Sequence, residues 1–121
     1  MIKKIDLGFT ELEIHKGYFL GRAKEAISVS LDKHLEVLDV VNKYLSPPYG
    51  MILDEINSYS VEFEVMSYLK KDPNVICVGV IFYRNVTKVT LGLGKKYIDK
   101  PVKLSRDRDE IICWVKEQLK N

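Results

Sequence analysis

The run VICVGVIF at residues 75–82 is apolar without interruption and rich in β-branched side chains. A run of this length and composition predicts a strand that is buried on both faces of a sheet. The turn signal DPN at residues 72–74 precedes it. Because such a strand has no polar face, other elements must cover both sides of the sheet, and the sequence predicts the α/β class.

Helical and strand patterns alternate on both sides of this run. The predicted elements are a hairpin with strands at 11–15 and 18–22, a helix at 31–45 capped by Ser30, a strand at 51–56, a helix opened by Ser58 or Ser60, the strand at 75–82, a helix at 86–93, a strand at 102–104 and a helix that starts at Asp107. Residues 86–93 have high β propensity, which favours a strand, but they also carry a helical stripe. We favour the helix as a crossover between two parallel strands.

Length and charge narrow the class of protein. The 121 residues suit one domain, and we expect residues 1–121 to form a single one. The 19 basic and 17 acidic residues are interleaved, whereas a nucleic-acid binder usually concentrates its basic residues, so nucleic acid is not an expected partner. The opening MIKKIDLGF lacks the apolar core of a signal peptide, and no apolar stretch reaches about 18 residues. We therefore expect a cytoplasmic protein with no transmembrane segment.

Five stretches carry a resemblance to a known family. They are ELEIHKGYFLGRA, GMILDEI with NSYS, VICVGVIFY, NVTKVTLGLGKKY and KPVKLSRDRDEIICWVKEQL. In this order they resemble the STAS domain of anti-sigma-factor antagonists and, more closely, the small stand-alone SpoIIAA-like proteins of the STAS/Sec14-like superfamily. The resemblance covers Glu11 to Leu119. It implies a SpoIIAA-like (STAS) fold with a mixed four- to five-stranded sheet, an N-terminal β-hairpin and about four helices.

The resemblance also implies a function, a non-catalytic regulatory or protein-interaction module. In the regulatory members a partner kinase phosphorylates a serine that opens the helix after the central strand. By position Ser60 is the nearest match and Ser58 the second. The family motif resembles D-S-S-G, whereas this turn reads NSYSVEFE, and Glu62 and Glu64 would repel a phosphate. The alternative is a small-ligand domain for a lipid or a nucleotide, which the Sec14-like kinship implies.

A polar group follows the buried strand and is the candidate ligand or partner loop. It comprises Tyr83, Arg84, Asn85 and Lys88. Ligands of α/β proteins bind at the carboxyl ends of parallel strands, and the turn at 58–60 is expected at the same sheet edge. A small anion or an acidic side chain of a partner would suit this loop.

Other chemistry-bearing residues are predicted to be structural. Asp54 and Glu55 are adjacent on a strand and point to opposite faces, so we expect one to be exposed and the other to sit at the strand end. Helical phase places His34 on the surface. Cys77 and Cys113 lie in apolar runs and are predicted to be buried. We therefore expect no enzyme activity, no cofactor and no metal.

The predicted N-terminal hairpin suggests a surface at which another chain could pair. A hairpin at the start of a sheet presents an edge strand, and an exposed edge must be covered or blunted. The expected partner is thus an unidentified protein or a second copy of the chain in a homodimer.

Overall fold

The computed structural model describes residues 1–57, 59–84 and 97–120. Its elements, in chain order, are β1 (Lys3–Asp6), β2 (Thr10–His15), β3 (Tyr18–Ala23), β4 (Ser28–Val29), α1 (Leu31–Val41), β5 (Tyr49–Asp54), β6 (Ser60–Val61), α2 (Phe63–Lys71), β7 (Val75–Ile81), β8 (Val102–Ser105) and α3 (Arg108–Leu119). The predictions made for Ser58, Asn85, Lys88 and the helix at 86–93 lie outside the described residues.

Six strands form one mixed sheet in the order β1-β2-β3-β5-β7-β8. The first three pair antiparallel, and the pairs β3–β5, β5–β7 and β7–β8 are parallel. The apolar run at 75–82 becomes β7, in the parallel part of the sheet between β5 and β8. The predicted α/β class, mixed sheet and opening hairpin are confirmed.

The sheet has one strand more than the four to five predicted, because β1 adds to the edge of the hairpin. The apolar–polar alternation that predicts a strand is missing from its sequence KKID. Backbone hydrogen bonds pair this strand with β2, from Lys3 opposite Ile14 to Asp6 opposite Glu11. The sheet edge on this side is therefore β1 rather than the hairpin, and its two lysines blunt that edge against further pairing.

The two faces of the sheet are covered by different helices. Val78 and Val80 of β7 join the cluster that contains α1 and α2, whereas Cys77 and Ile81 join the cluster that contains α3. This alternation along one strand is the reason that β7 has no polar face. None of the helices in the described residues is long and apolar enough to cross a bilayer.

Helix α3 lies directly on two glycines of the sheet. A Cβ atom at Gly79 would lie 2.6 Å from Ile111 Cγ2, and one at Gly50 would lie 2.6 Å from Val115 Cγ1. Both distances are far shorter than any real carbon–carbon contact. The helix can approach this closely only because residues 50 and 79 are glycines, which have no Cβ atom.

Two of the predicted helix starts are confirmed. Ser30 Oγ accepts a hydrogen bond from Lys33 N at the start of α1, and the Asp107 carboxylate accepts from the backbone of the first turn of α3. The Glu110 carboxylate, three residues after Asp107, accepts a hydrogen bond from Ser105 Oγ at 2.8 Å.

The predicted cap of α2 at Ser60 is wrong. Ser60 lies in β6, which pairs with β4 in a small two-stranded sheet, and Ser60 N donates to Ile27 O. Strand pairing therefore extends the chain through Val61, and the helix begins only at Phe63 after Glu62.

We predict opposite effects of adding a methyl group to two glycines of the sheet. Gly79→Ala should destabilise the protein by about 1–3 kcal/mol, because Ile111 would have to move. Gly21→Ala is the matched control, since its Cβ would meet only Leu12 Cδ2 at an ordinary 3.8 Å, and it should be neutral or slightly stabilising. Urea denaturation of both variants measures the difference, and equal losses of stability would contradict the close approach of α3.

Candidate functional site

A cavity lies between the sheet and the helices α1 and α2. Its volume is about 70 Å³, several times the space that one water molecule needs. Most of its wall is carbon. The described residues that line it are Phe9, Thr10, Leu12, Phe19, Gly21, Ala23, Val29, His34, Val37, Met51, Leu53, Tyr59, Val61, Val65, Met66, Leu69, Val78, Val80, Ile98 and Val102.

Small residues of β3 leave this space open. Gly21 lies between Leu12 of β2 and Leu53 of β5, and it puts no side chain beneath the sheet. Ala23, two residues further on the same face, adds one carbon only. Gly21 and Ala23 therefore leave room for the cavity on this face of β3.

Three lining residues carry polar side-chain groups. Tyr59 Oη donates to Asp54 O at 3.2 Å, and Thr10 Oγ1 donates to Glu11 O at 3.5 Å. His34 Nε2 is fully buried and has no hydrogen-bond partner in the part of the chain that the structure describes. Of these three residues, Thr10 and Tyr59 have a hydrogen-bonded side chain, whereas His34 Nε2 is buried without a partner in the described residues.

His34 was predicted on the surface, and this prediction is wrong. Its side chain is 5% exposed, and its ring packs edge-on against Tyr68 with centroids 5.8 Å apart. Burial lowers the pKa of His34 to about 4, although the charge of Asp72 acts in the opposite direction. The imidazole is therefore neutral at neutral pH.

The sequence did carry a signal for His34. The buried residues of α1 are His34, Val37, Leu38 and Val41, which follow the spacing i, i+3, i+4, i+7 of a helix face. Leu31 and Leu35, on one side of this face, are only partly buried. A histidine on an apolar helical stripe was thus the available indication of a polar group inside the core.

A second polar group occupies the carboxyl end of β5. Asp54 and Glu55 are 3% and 4% exposed, so the expectation that one of them would be exposed is wrong. Asp54 Oδ2 accepts hydrogen bonds from Arg22 Nε at 3.0 Å and Nη2 at 2.8 Å. Burial, reinforced by the charge of Asp54, raises the pKa of Glu55 to about 7, and Arg84 opposes the shift.

On the same face of the sheet, an ion pair links the first residue of α3 to β2. Arg108 Nη2 donates to Glu13 Oε1 at 2.7 Å, and His15 Nε2 lies 3.0 Å from the same oxygen. Burial alone would raise the pKa of Glu13, but the hydrogen bonds from Arg108 and His15 lower it to about 2. These groups are paired with one another, so they serve the packing of α3 on β2.

Tyr83 and Arg84 are the candidate-loop residues that the structure describes, and neither lines the cavity. Arg84 and Ser60 are exposed. Arg84 Nη2 lies 3.5 Å from Ile56 O, so the segments after β5 and β7 touch at one sheet edge. Tyr83 O accepts a hydrogen bond from Arg106 Nη1 at 3.0 Å. Ser60 is likewise not among the described residues that line the cavity.

The two cysteines differ in their surroundings. Cys77 is buried, and burial raises the pKa of its thiol to about 11. Cys113 is exposed on α3, so its predicted burial is wrong. The apolar run around it, EIICWV, places Ile111 and Val115 on the inner face, and this phase turns Cys113 outward.

Comparisons with known proteins bear on the fold. No family model matches the chain, and no curated protein matches it in sequence. Among solved structures, it is similar to an uncharacterized protein from the DUF3478 family with a SpoIIAA-like fold from Shewanella loihica PV-4. The TM-score is 0.64 at 10% identity, over 92% of this chain and 97% of that chain. The chain has a SpoIIAA-like fold, which confirms the predicted resemblance, and at this identity the likeness concerns the fold alone.

We predict that Glu55→Gln changes the pH dependence of stability. The folded protein holds a proton on Glu55 up to about pH 7, whereas the unfolded chain loses it near pH 4.5. Wild-type stability therefore falls as pH rises through this window, and the variant lacks that loss. Its stability relative to wild type should increase by about 1–3 kcal/mol from pH 5 to pH 8.

Urea denaturation at several pH values measures this change. The exposed Glu64→Gln in α2 is the matched control and should follow the wild-type profile. A Glu55→Gln profile parallel to that of wild type would show that the buried carboxyl titrates at its ordinary pKa.

Proposed function

We propose that this protein is a non-catalytic binding domain for a small, predominantly apolar ligand, held in the cavity between the sheet and the helices α1 and α2. The observation that carries the proposal is the cavity itself, whose wall of about 20 described residues is almost entirely carbon. A cavity with a predominantly apolar wall favours apolar molecules such as benzene as ligands. A ligand in this space would regain the dispersion contacts that the wall now lacks.

The lining also distinguishes between a lipid-like ligand and a nucleotide. Among the described lining residues there is no lysine, arginine, aspartate, glutamate or cysteine. A nucleotide would bring phosphate charges that cost several kcal/mol to bury without cations. Of the two ligand classes that the sequence suggested, the apolar one therefore has the support of the geometry.

Binding without catalysis is part of the proposal. The carboxylates with strong partners, Glu13 and Asp54, lie on the sheet face that α3 covers, as does the Cys77 thiol. The cavity opens on the opposite face, so these groups are separated from it by the sheet. A bound molecule would thus meet an apolar wall and no acid–base pair among the described lining residues.

The regulatory module predicted from the family resemblance stays a prediction. Ser60 is exposed, but it lies in β6 rather than at the start of α2. Phosphorylation there would not place a charge on the helix N-terminus. The ligand-binding role rests on an observed cavity, so it is the function that we put forward.

We predict that benzene binds to the protein and that filling the space under β3 abolishes binding. Gly21→Ala adds one carbon and Gly21→Val adds three, at a position where a Cβ has 3.8 Å to its nearest neighbour. Gly21→Val should weaken benzene binding at least about tenfold, or about 1.4 kcal/mol, and Gly21→Ala should weaken it less. Methyl NMR shifts of Val37, Val65 and Val80 during a benzene titration measure the affinity.

The control variant for this experiment is Ile112→Val in α3, which changes core packing on the opposite sheet face and should leave benzene binding unchanged. Urea denaturation of each variant reports whether it folds. If Gly21→Val does not fold, Gly21→Ala alone decides the question. Saturable shifts that are the same in all folded variants would place benzene elsewhere, and no saturable shifts at all would overturn the proposal.

A further inference from the structure

A buried carboxyl group at the end of β5 has no hydrogen-bonded partner. Glu55 follows Asp54, the last residue of the strand, and is 4% exposed. Its backbone N–H donates to Ile81 O, but its carboxyl group forms no hydrogen bond or ion pair within the described residues. Asp54 is similarly buried but accepts two hydrogen bonds from Arg22. Of these two neighbouring carboxyl groups, Asp54 thus has a cation hydrogen-bonded to it, and Glu55 does not.

The groups around Glu55 favour its neutral form. Burial raises the pKa of Glu55 to about 7, the negative charge of Asp54 adds to this shift, and the positive charge of Arg84 opposes it. Arg84 is exposed, so water screens its charge. The neighbouring titratable group is the Tyr59 hydroxyl, whose pKa is raised by burial and by the charge of Glu55. The folded site therefore accommodates a neutral acid, whereas a carboxylate there would need water.

The chain that follows Glu55 supplies part of the cavity wall. Tyr59 and Val61 line the cavity, and both are partly exposed, so the wall meets solvent here. Val61 lies in β6, which pairs with β4 through two residue pairs, and Val29 of β4 lines the cavity as well. A two-stranded β-structure is marginally stable by itself. This part of the wall therefore depends on its connections to the main sheet.

Those connections lie next to Glu55. Tyr59 Oη donates to Asp54 O at 3.2 Å, and Asn57 Nδ2 donates to Ala23 O at 3.0 Å. Because the charge of Glu55 acts on the Tyr59 hydroxyl, a carboxylate at position 55 would be an unsolvated charge beside this hydrogen bond. Burying such a charge is costly. Displacement of Tyr59 and β6 would expose the carboxylate to water and relieve that cost.

We infer that Glu55 is a proton switch that controls access to the cavity. While Glu55 holds its proton, the neutral acid stays buried, and Tyr59 and β6 remain closed against the main sheet. When the proton passes to solvent, the carboxylate takes up water, the small sheet of β4 and β6 opens, and a ligand can enter or leave. This inference rests on the proposed function, because it concerns the regulation of the same cavity.

Amide hydrogen exchange tests the switch without any ligand. Ser60 N–H donates to Ile27 O and Glu62 N–H donates to Val29 O, so both amides report the opening of the small sheet. The amides of β7 report the main sheet. After correction for the intrinsic exchange rate, we expect the protection of Ser60 and Glu62 in wild type to fall at least about tenfold from pH 5 to pH 8.

Urea separates local opening from global unfolding. Below the unfolding transition, exchange through a local opening exposes little surface and hardly depends on urea, whereas exchange through global unfolding accelerates with urea. We expect the Ser60 and Glu62 amides to show the first behaviour and the amides of β7 the second. If Ser60 and Glu62 instead follow β7 in urea, the small sheet opens only with the whole protein, and the switch is overturned.

The variants assign the switch to one residue. Glu55→Gln removes the charge at every pH and should abolish the pH dependence of protection at Ser60 and Glu62. Glu55→Leu serves the same purpose if the glutamine variant does not fold. The exposed Glu64→Gln in α2 is the matched control and should behave as wild type. An equal pH dependence in wild type and in the uncharged variant would overturn the assignment to Glu55.

Benzene is the probe that links the opening to the cavity. Its rate of exchange with the cavity, read from the line shapes of the Val65 methyl signals, should rise with pH in wild type and stay constant in Glu55→Gln. A wild-type rate that is the same at acidic and alkaline pH would overturn the inference, because β6 would then not cover the route. If benzene does not bind at all, the proposed function fails, whereas the amide exchange still decides whether Glu55 holds the small sheet closed.

Discussion

The contact between α3 and the glycines of β5 and β7 is the constraint on which the rest of the architecture depends. Ile111 and Val115 occupy the positions where side chains at residues 79 and 50 would be, so the helix packs directly on the backbone of these two strands. On the other face Gly21 leaves the same kind of vacancy, but no side chain enters it. Glycine is therefore associated with tight packing on one face and with a cavity on the other. The difference is that side chains of α3 fill the space at Gly50 and Gly79, whereas no side chain of α1 or α2 fills the space at Gly21.

Charge is arranged around this packing rather than inside the cavity. Arg22 pairs with Asp54, and Arg108 pairs with Glu13 at the first residue of α3. Removing one partner of such a pair would leave a buried charge uncompensated, which is the more costly outcome. The Arg108–Glu13 pair links the α3 N-terminus to β2, and the Arg22–Asp54 pair links β3 to β5. The described residues that line the cavity on the opposite face include no Asp, Glu, Lys or Arg. The sheet therefore carries ion pairs on one face and an apolar cavity on the other.

The fold was predictable from local patterns, and the site largely was not. The run that becomes β7 has no polar residue, so its burial could be deduced without any neighbour. Strand β1 could not be found in this way, because its pairing rests on the backbone of β2 and not on its own KKID sequence. His34 was misplaced although its spacing of four and seven residues from Leu38 and Val41 puts it on the apolar face of α1. The cavity depends on the reach of side chains from several elements, which one strand's sequence does not contain.

The cavity and the unpartnered imidazole both lower the stability of the fold. A void forfeits the dispersion contacts of its wall, and His34 Nε2 forfeits a hydrogen bond in a medium where the loss is large. A leucine at position 34 would relieve the second cost without any ligand. His34 is thus a residue whose buried side chain lowers the stability of the fold at a position where an aliphatic residue would pack without an unsatisfied polar atom. Packing alone does not explain a histidine on this face of α1.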